Sequence, residues 1–180
     1  MSAVFPFPEI DAPLDADLLD AAVEASDPGA SPLAIGPAVC DALALVRRSL
    51  TAGVTISFMN AVSDACEVDG LSRAALQQIL TNLVRNAADA MLGQGRVFVT
   101  VEPAPDAVRL IVEHDGPGVK RAATRLSEPV STTRPPSNGP GRSLYVTYDL
   151  AARAGGEVRL EPGRRGARFV ARFAACGADI

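Results

Sequence analysis

One segment constrains the fold more than any other part of the chain: residues 72–91, which read SRAALQQILTNLVRNAADAM. Apolar residues recur in it every three or four positions, which is the spacing of one face of an α-helix. Ser72 is a suitable N-cap, and Gly93 is suited to end the helix. The segment therefore predicts a long amphipathic helix whose apolar stripe packs against a core. The stripe consists of Leu76, Ile79, Leu80, Leu83, Val84, Ala87 and Met91.

Three polar residues interrupt this helix. Asn82, Asn86 and Asp89 are spaced at i, i+4 and i+7, which places them on one helical face beside the apolar stripe. Asn and Asp form helices poorly, so clustering them costs stability. One interpretation is a solvated face. The other is a site for a hard cation, because amide and carboxylate oxygens are ligands that suit Mg²⁺.

Strand and helix patterns alternate along the rest of the chain. Residues 96–102 and 107–113 are β-branched runs joined by PAPD, which predicts a hairpin. Helices and strands are thus mixed along the chain, and consecutive strands are antiparallel, which predicts an α+β fold. The expected architecture is a two-layer α/β sandwich, in which one face of a mixed, mostly antiparallel sheet is covered by helices. The other predicted elements are helices at 35–50 and 142–154 and strands at 54–58, 66–70, 157–163 and 166–173.

Composition restricts the function classes. Residues 1–31 are rich in Pro, Asp and Ala and are expected to be a flexible tail or linker, which leaves 32–180 as one folded domain. Hydrophobic residues make up 48% of the chain, which is enough for a core. The net charge of −4 argues against a nucleic-acid partner.

The sequence also indicates a location. No apolar run of about 18 residues and no signal peptide are seen, so we expect no membrane span and a cytoplasmic location. Three cysteines without a CxxC pair indicate free thiols in a reducing compartment.

Two glycine-bearing turns follow the long helix. HDGPG (114–118) comes directly after a strand, where glycines let the backbone approach a flat ligand; the alternative is a plain turn. Gly139 and Gly141 precede a helix, whose free N–H groups and dipole favour an anion such as phosphate. Arg134, in the loop between, is either a ligand for a terminal phosphate or an ordinary surface charge.

In this order the motifs resemble the ATP-binding catalytic domain of sensor histidine kinases, part of the superfamily that includes gyrase, Hsp90 and MutL. The resemblance covers about residues 32–175. LQQILTNLVRNAADAM is similar to the family's N box, HDGPG to its first glycine box, EPVSTTRP to its EPF-TTK stretch and GPGRSL to its second glycine box. It implies a Bergerat-type fold in which the loop between the glycine boxes is the ATP lid.

The resemblance also implies ATP and Mg²⁺ as ligands. Asn86 would be the Mg²⁺ ligand, Asn82 would lie near the phosphates and Arg134 would reach the γ-phosphate. His114 stands where the family has an Asp that binds the adenine amino group, and Ser143 stands where the second box has its last glycine. The implied ATP-binding set is Asn82, Asn86, Asp89, His114, Asp115, Gly116, Gly118, Thr132, Thr133, Arg134, Gly139, Gly141 and Ser143.

Histidine kinases phosphorylate their own histidine, carried on a dimerisation hairpin. This sequence has one histidine, His114, inside the glycine box. The resemblance therefore implies a bacterial, two-component protein-histidine kinase-type domain without its own acceptor hairpin, whose partner is a histidine-bearing dimerisation domain or a response regulator. The alternative is a degenerate, non-catalytic module that acts as a protein-binding regulator or phosphotransfer-type partner. An anti-sigma-factor-type Ser kinase is a third, less favoured interpretation.

Overall fold

The computed structural model describes residues 31–116, 140–163 and 166–176. Three helices and seven strands are found in these ranges. The helices are α1 (Ile35–Arg47), α2 (Arg73–Ala90) and α3 (Pro140–Arg153). The strands are β1 (Leu33–Ala34), β2 (Val54–Asn60), β3 (Glu67–Val68), β4 (Gly95–Ala104), β5 (Ala107–His114), β6 (Glu157–Pro162) and β7 (Ala167–Cys176).

The strands form one mixed sheet in the order β1-β3-β7-β5-β4-β2, with β6 also paired to β7. The β2–β4 pair is parallel, and the other pairs among the described strands are antiparallel. The predicted β4–β5 hairpin is confirmed, with Ala104 paired to Ala107 across a two-residue turn. Asp106 occupies the left-handed region there at φ 54°, a conformation that a short polar side chain tolerates well.

The core lies between the sheet and the helices, as the α+β prediction required. Alternate residues of a strand point to opposite faces, so Leu110 and Val112 of β5 face the same core as Leu80 and Leu83 of α2. These four side chains are almost completely buried. The opposite face of the strands carries charged pairs instead: Arg109–Glu102 at 3.3 Å and Arg168–Glu161 at 3.7 Å.

The predicted start and end of α2 are confirmed. The Ser72 hydroxyl oxygen accepts the backbone N–H of Ala75 at 3.1 Å, which satisfies one of the free donors of the first turn. Beyond the helix, Leu92 and Gly93 both have positive φ, 56° and 76°, and turn the chain towards β4. All the residues of the predicted apolar stripe of α2 belong to the buried core.

Some boundaries differ from the prediction. The helix predicted over 35–50 ends at Arg47, because residues 48–50 turn to bring the chain into β2. The two-residue strand β1 was not predicted, since two residues carry no periodicity. The predicted tail at 1–31 lies, except for its last residue, outside the described residues. None of the described helices is both long enough and apolar enough to cross a bilayer.

Candidate functional site

A cluster of polar side chains lies between α2 and α3. The Asn82 amide nitrogen donates to the backbone oxygen of Ser143 at 3.0 Å and to Oγ1 of Thr147 at 3.3 Å. Its amide oxygen accepts Nε2 of Gln78 at 2.9 Å. Thr147 is fully buried and also donates to the Ser143 oxygen, at 2.9 Å. Asn82 therefore joins the two helices through contacts that use both ends of its amide.

Asn86 lies one turn further along α2. Its amide oxygen accepts the Ser143 hydroxyl at 3.1 Å. Its amide nitrogen is buried and has no hydrogen-bond partner in the described part of the chain. A buried donor without an acceptor costs about 1–3 kcal/mol, so native proteins rarely leave one. The Asn86 N–H groups are thus placed for an acceptor atom that the described residues do not supply.

Asp89 is separated from the two asparagines. It is exposed and, together with Thr51, Arg85 and Gly93, lines a cavity of about 330 Å³ beside the ends of α1 and α2. Over the described residues, no three His, Cys, Asp or Glu side chains lie close enough to hold a metal ion. The structure therefore brings Asn82, Asn86 and Ser143 together, whereas Asp89 faces a different surface.

His114 ends β5 and is only 2% exposed. Its Nδ1 lies 3.2 Å from the backbone N–H of Gly116, and its Nε2 lies 3.2 Å from the backbone N–H of Ala167. A neutral imidazole has one acceptor nitrogen, so only one of these two N–H groups is satisfied in each tautomer. Burial lowers the pKa of His114, opposed by the negative charges of Asp115 and Glu113. The ring is therefore neutral, and it joins the end of β5 to the start of β7.

The turn after β5 is held to β4. The Asp115 carboxylate accepts the backbone N–H of Arg96 at 2.8 Å, and the Asp115 N–H donates to the Arg96 oxygen at 3.2 Å. A Cβ on Gly116 would lie 2.5 Å from Cγ of Met91, so a side chain there requires Met91 to move. Asp115 thus extends the β4–β5 pairing by one residue beyond His114.

The remaining predicted site residues are only partly described. Gly141 lies in the first turn of α3, which begins at Pro140, two residues before the predicted start. Ser143 follows in the same turn region. The other predicted ATP-binding residues belong to the predicted ATP lid or lie next to it, and they are outside the described residues. They are Gly118, Thr132, Thr133, Arg134 and Gly139.

Sequence reasoning missed Gln78 and Thr147. Each lies four residues from a site residue on its own helix, Gln78 from Asn82 and Thr147 from Ser143. That i, i+4 spacing places the pairs on one face and is the signal by which they are recognisable. The partner of Thr147 across the helix interface, Asn82, belongs to the other helix, which a one-dimensional pattern does not reveal.

Comparison with known proteins decides the family. Residues 72–175 match the sequence model of the histidine kinase-, DNA gyrase B-, and HSP90-like ATPases. The chain belongs to this family. Among its relatives, the two-component sensor PhoQ of Pseudomonas aeruginosa is 35% identical over 141 residues, which are 76% of this chain and 29% of PhoQ. The C4-dicarboxylate transport sensor protein DctB of Rhizobium meliloti is 28% identical over 143 residues, 78% of this chain and 22% of DctB.

The chain thus spans less than a third of the length of these two sensors. Solved structures share the fold. The catalytic domain of histidine kinase ThkA superposes with a TM-score of 0.62 at 22% identity, covering 80% of this chain and 94% of that one. Full-length ShkA in complex with AMPPNP gives 0.67 at 24% identity, covering 91% and 36%. The expected α+β sandwich of a histidine kinase ATPase domain is confirmed.

The Asn86 side chain offers atoms to both expected ligands of this family. An amide nitrogen donates to a phosphate oxygen, so the Asn86 N–H groups, which meet no acceptor among the described residues, suit an anion. Mg²⁺ requires the amide oxygen, which in this structure accepts the Ser143 hydroxyl. An amide oxygen has two lone pairs, so this bond does not exclude a cation, and Mg²⁺ ligation by Asn86 stays a prediction. Neither nitrogen of His114 is free to accept a hydrogen bond from a base.

Proposed function

We propose that this chain is the ATP-binding module of a two-component signalling system and that it binds the phosphates of ATP between α2 and α3. The observation that carries the proposal is the buried amide nitrogen of Asn86, which has no acceptor in the described part of the chain. A phosphate oxygen is such an acceptor, and a hydrogen bond to a charged group is the stronger kind. Membership of an ATPase family supports this choice of anion.

The surrounding residues support an anion there. Asn82 fixes the spacing of α2 and α3 through the Ser143 oxygen at 3.0 Å. Ser143 lies near the N-terminus of α3, where the positive end of the helix dipole favours negative charge. Further phosphate contacts from Arg134, Gly139 and Gly141 are part of the proposal on the strength of the motifs alone. In such a site catalysis consists of positioning and charge stabilisation.

The histidine that receives the phosphoryl group is not within these 180 residues. His114 is the single histidine of the sequence, and at 2% exposure its ring cannot meet the γ-phosphate of a bound nucleotide. We therefore place the acceptor on a histidine-bearing dimerisation domain, in another segment or another chain. A response regulator would receive the phosphoryl group next.

One observation favours a second function. The two ring nitrogens of His114 face the backbone N–H groups of Gly116 and Ala167, so the ring offers no acceptor to the amino group of adenine. A domain that has lost base recognition in this way would act as a non-catalytic, protein-binding regulator of a kinase or response regulator. It would keep the fold and the polar contacts between the helices.

Calorimetric titration with ATP, with and without Mg²⁺, separates the two functions. The first predicts saturable binding that Asn86→Ala weakens by about tenfold or more, the loss expected for one hydrogen bond to a charged group. Gln77→Ala, on the exposed face of the same helix, is the matched control and should bind as the wild type does. Absence of heat and of thermal stabilisation at millimolar ATP would leave the protein-binding function.

A further inference from the structure

The strand β2 (Val54–Asn60) forms one edge of the sheet, because it pairs with β4 alone among the described strands. The backbone groups of successive residues in a strand point to opposite sides, so alternate residues bond the same neighbour. Ala61, directly after β2, donates its N–H to the Val101 oxygen at 2.8 Å. The odd-numbered residues therefore bond β4, and the backbone groups of the even-numbered residues point away from the sheet. They include Ile56, Phe58 and Asn60.

Within the described part of the chain, the outward backbone groups of Ile56, Phe58 and Asn60 receive one hydrogen bond. Arg47 Nη2 donates to the Ile56 oxygen at 3.2 Å, in an exposed contact. This bond confirms that the Ile56 oxygen faces away from β4. The other outward groups are placed to pair with a further strand, which would satisfy them in the way that β4 satisfies the opposite side.

The sequence of β2 lacks the features that protect other edges. Natural edge strands are kept from pairing by charged side chains, by proline or by being very short. β6 (Glu157–Pro162) has three charged residues and a proline, and β1, at the opposite edge, has two residues. The seven residues of β2 include no charged residue, no proline and no glycine. β2 is therefore the edge among the described strands that is most open to a further strand.

Apolar side chains on both faces of β2 are incompletely covered. On the outer face of the sheet, Met59 is 57% exposed. On the helix side, Ile56 and Phe58 pack against the core but stay partly exposed. A strand added at this edge would cover part of all three side chains, which favours pairing.

We propose that β2 is an interface for a second copy of this chain, which adds its own β2 antiparallel to the first about a two-fold axis. Such a contact requires a surface that is complementary to itself. β2 meets this requirement because it is uncharged along its length, so two copies do not repel each other. Overlap of all seven residues places the axis at the central residue, Ser57. Ile56 of each copy then lies opposite Phe58 of the other, and Met59 lies opposite Thr55.

Two charges beside β2 also fit a second copy. Arg47 lies at Ile56, near the start of the strand. Asp64 lies near its end, where the carboxylate accepts Nδ2 of Asn60 at 3.3 Å. Both are on the helix side of the sheet, and antiparallel pairing brings Asp64 of one copy towards Arg47 of the other. The Ile56 oxygen, released by Arg47, then accepts the Phe58 N–H of the second copy.

The expected dimer is weak. Two strands of seven residues meet over about 23 Å, and such a contact is smaller than the roughly 1,200 Å² of buried surface at which stable interfaces begin. We therefore expect a reversible dimer that forms at roughly 0.1–1 mM. No residue of the proposed nucleotide site belongs to this interface, so nucleotide binding and dimerisation can fail independently.

Cysteine cross-linking of the full chain tests the interface and its register. In a Cys40→Ser background, which removes the exposed thiol, Ser57→Cys places two thiols across the axis. Residue 57 forms a non-hydrogen-bonded pair with its copy, with Cα atoms about 4.5 Å apart, a distance that a disulfide spans. We expect oxidised glutathione to give a disulfide-linked dimer of the folded protein, and none in urea.

Thr55→Cys is the matched control. Residue 55 lies opposite residue 59 of the second copy and about 13 Å from its own counterpart, so it should cross-link at least about tenfold more slowly than Ser57→Cys. Met59→Cys should behave like Thr55→Cys when alone. A mixture of the Thr55→Cys and Met59→Cys variants should cross-link readily.

Sedimentation of the wild type from about 10 µM to about 1 mM measures the dimer itself. Ser57→Lys places two like charges at the axis and should weaken the dimer by about tenfold or more. Gln77→Lys adds the same charge to the exposed face of α2 and should dimerise as the wild type does. Ser57 is exposed, so Ser57→Lys should fold, which urea unfolding checks. If it does not fold, the cysteine variants decide.

Three results would overturn the interface. The first is a protein that stays monomeric up to about 1 mM, with Ser57→Cys cross-linking no faster than Thr55→Cys. The second is a dimer that Ser57→Lys leaves unchanged, because its interface then lies elsewhere. The third is slow hydrogen exchange of the Phe58 and Asn60 amides in a monomeric protein, which would show that a different segment, and not a second copy, covers β2.

Discussion

The Nε2 atom of His114 lies 3.2 Å from the backbone nitrogen of Ala167 and ties the end of β5 to the start of β7. A second backbone N–H, that of Gly116, faces Nδ1 of the same ring at the same distance. A protonated imidazole is a donor at both nitrogens and would oppose both N–H groups. The contact between the end of β5 and the start of β7 therefore depends on the neutral form of the His114 ring, which is almost completely buried.

Protonation of His114 should lower the free energy of unfolding as the solution becomes acidic. Burial lowers the pKa of His114 in the folded state below its ordinary value of 6.5. Between these two values the unfolded state binds more protons, so the free energy of unfolding rises with pH. The contribution is fully present above about pH 6.5 and is lost as the pH falls through the lowered folded pKa.

Urea unfolding at about pH 8 and about pH 5.5 measures this contribution. His114→Leu should lose less free energy of unfolding between the two pH values than the wild type does. Carboxylates titrate in both proteins, so their effect cancels in the comparison. Equal losses in the two proteins would mean that His114 is readily protonated in the folded state, contrary to its burial.

Asn82 and Thr147 should couple energetically across the α2–α3 interface. The Asn82 amide nitrogen lies 3.3 Å from Oγ1 of Thr147, and both residues are buried. We expect Asn82→Ala and Thr147→Val each to lower the free energy of unfolding by about 1–3 kcal/mol, because each leaves a buried polar partner without its bond. A double-mutant cycle should give a coupling of about 0.5–1 kcal/mol. Additive effects would show that the two side chains stabilise the fold independently.

Contacts between residues close together in the sequence are predictable from it, and contacts between residues far apart are not. The helical repeat correctly predicted α2, and the i, i+4 spacing placed Asn82 and Asn86 together. Four residues advance a helix about 40° past one turn, whereas seven fall about 20° short of two turns. Asp89 therefore lies on the other side of Asn82 from Asn86, and this angle of about 60° is enough to move its carboxylate to the exposed surface.

Contacts between distant segments were not predictable. The resemblance assigns His114 to a ligand, because it stands at the end of a strand where the family has an adenine-binding Asp. Its partner Ala167 is 53 residues away in the sequence, and only the antiparallel pairing of β5 with β7 brings the two together. The Ser143–Asn86 bond spans 57 residues, and the packing of α3 against α2 brings this pair together. Local patterns carry no information on such pairs, since these depend on how the elements pack.

The three thiols should differ in reactivity. Cys40 is exposed, whereas Cys66 is buried. Burial raises the pKa of Cys66, and burial together with a hydrogen bond to Asp69 raises the pKa of Cys176 to about 11. Because the thiolate is the reactive form, Ellman's reagent at about pH 8 should modify one thiol quickly in the folded protein and all three in urea.

Cys40→Ser is the variant that identifies the fast thiol. We expect it to abolish the fast phase in the folded protein and to leave two thiols that react after unfolding. Rapid modification of Cys66 in the folded variant would show that its burial does not hold in solution.

Replacing Leu92 should stabilise the protein. Leu92 follows the end of α2 with a φ of 56° and is 90% exposed. The left-handed region costs an ordinary residue about 1–2 kcal/mol, and asparagine tolerates it better. Since Leu92 buries little apolar surface, Leu92→Asn should raise the free energy of unfolding by up to about 1 kcal/mol. The β-branched Leu92→Val should lower it.

Leu45→Asn is the matched control, because Leu45 is also exposed, at 46%, but lies within α1. There asparagine is a poorer helix former than leucine and should destabilise the protein by a few tenths of a kcal/mol. Urea unfolding of the three variants decides the matter: a gain at both positions would mean that removal of exposed apolar surface, and not the backbone conformation at Leu92, is the cause.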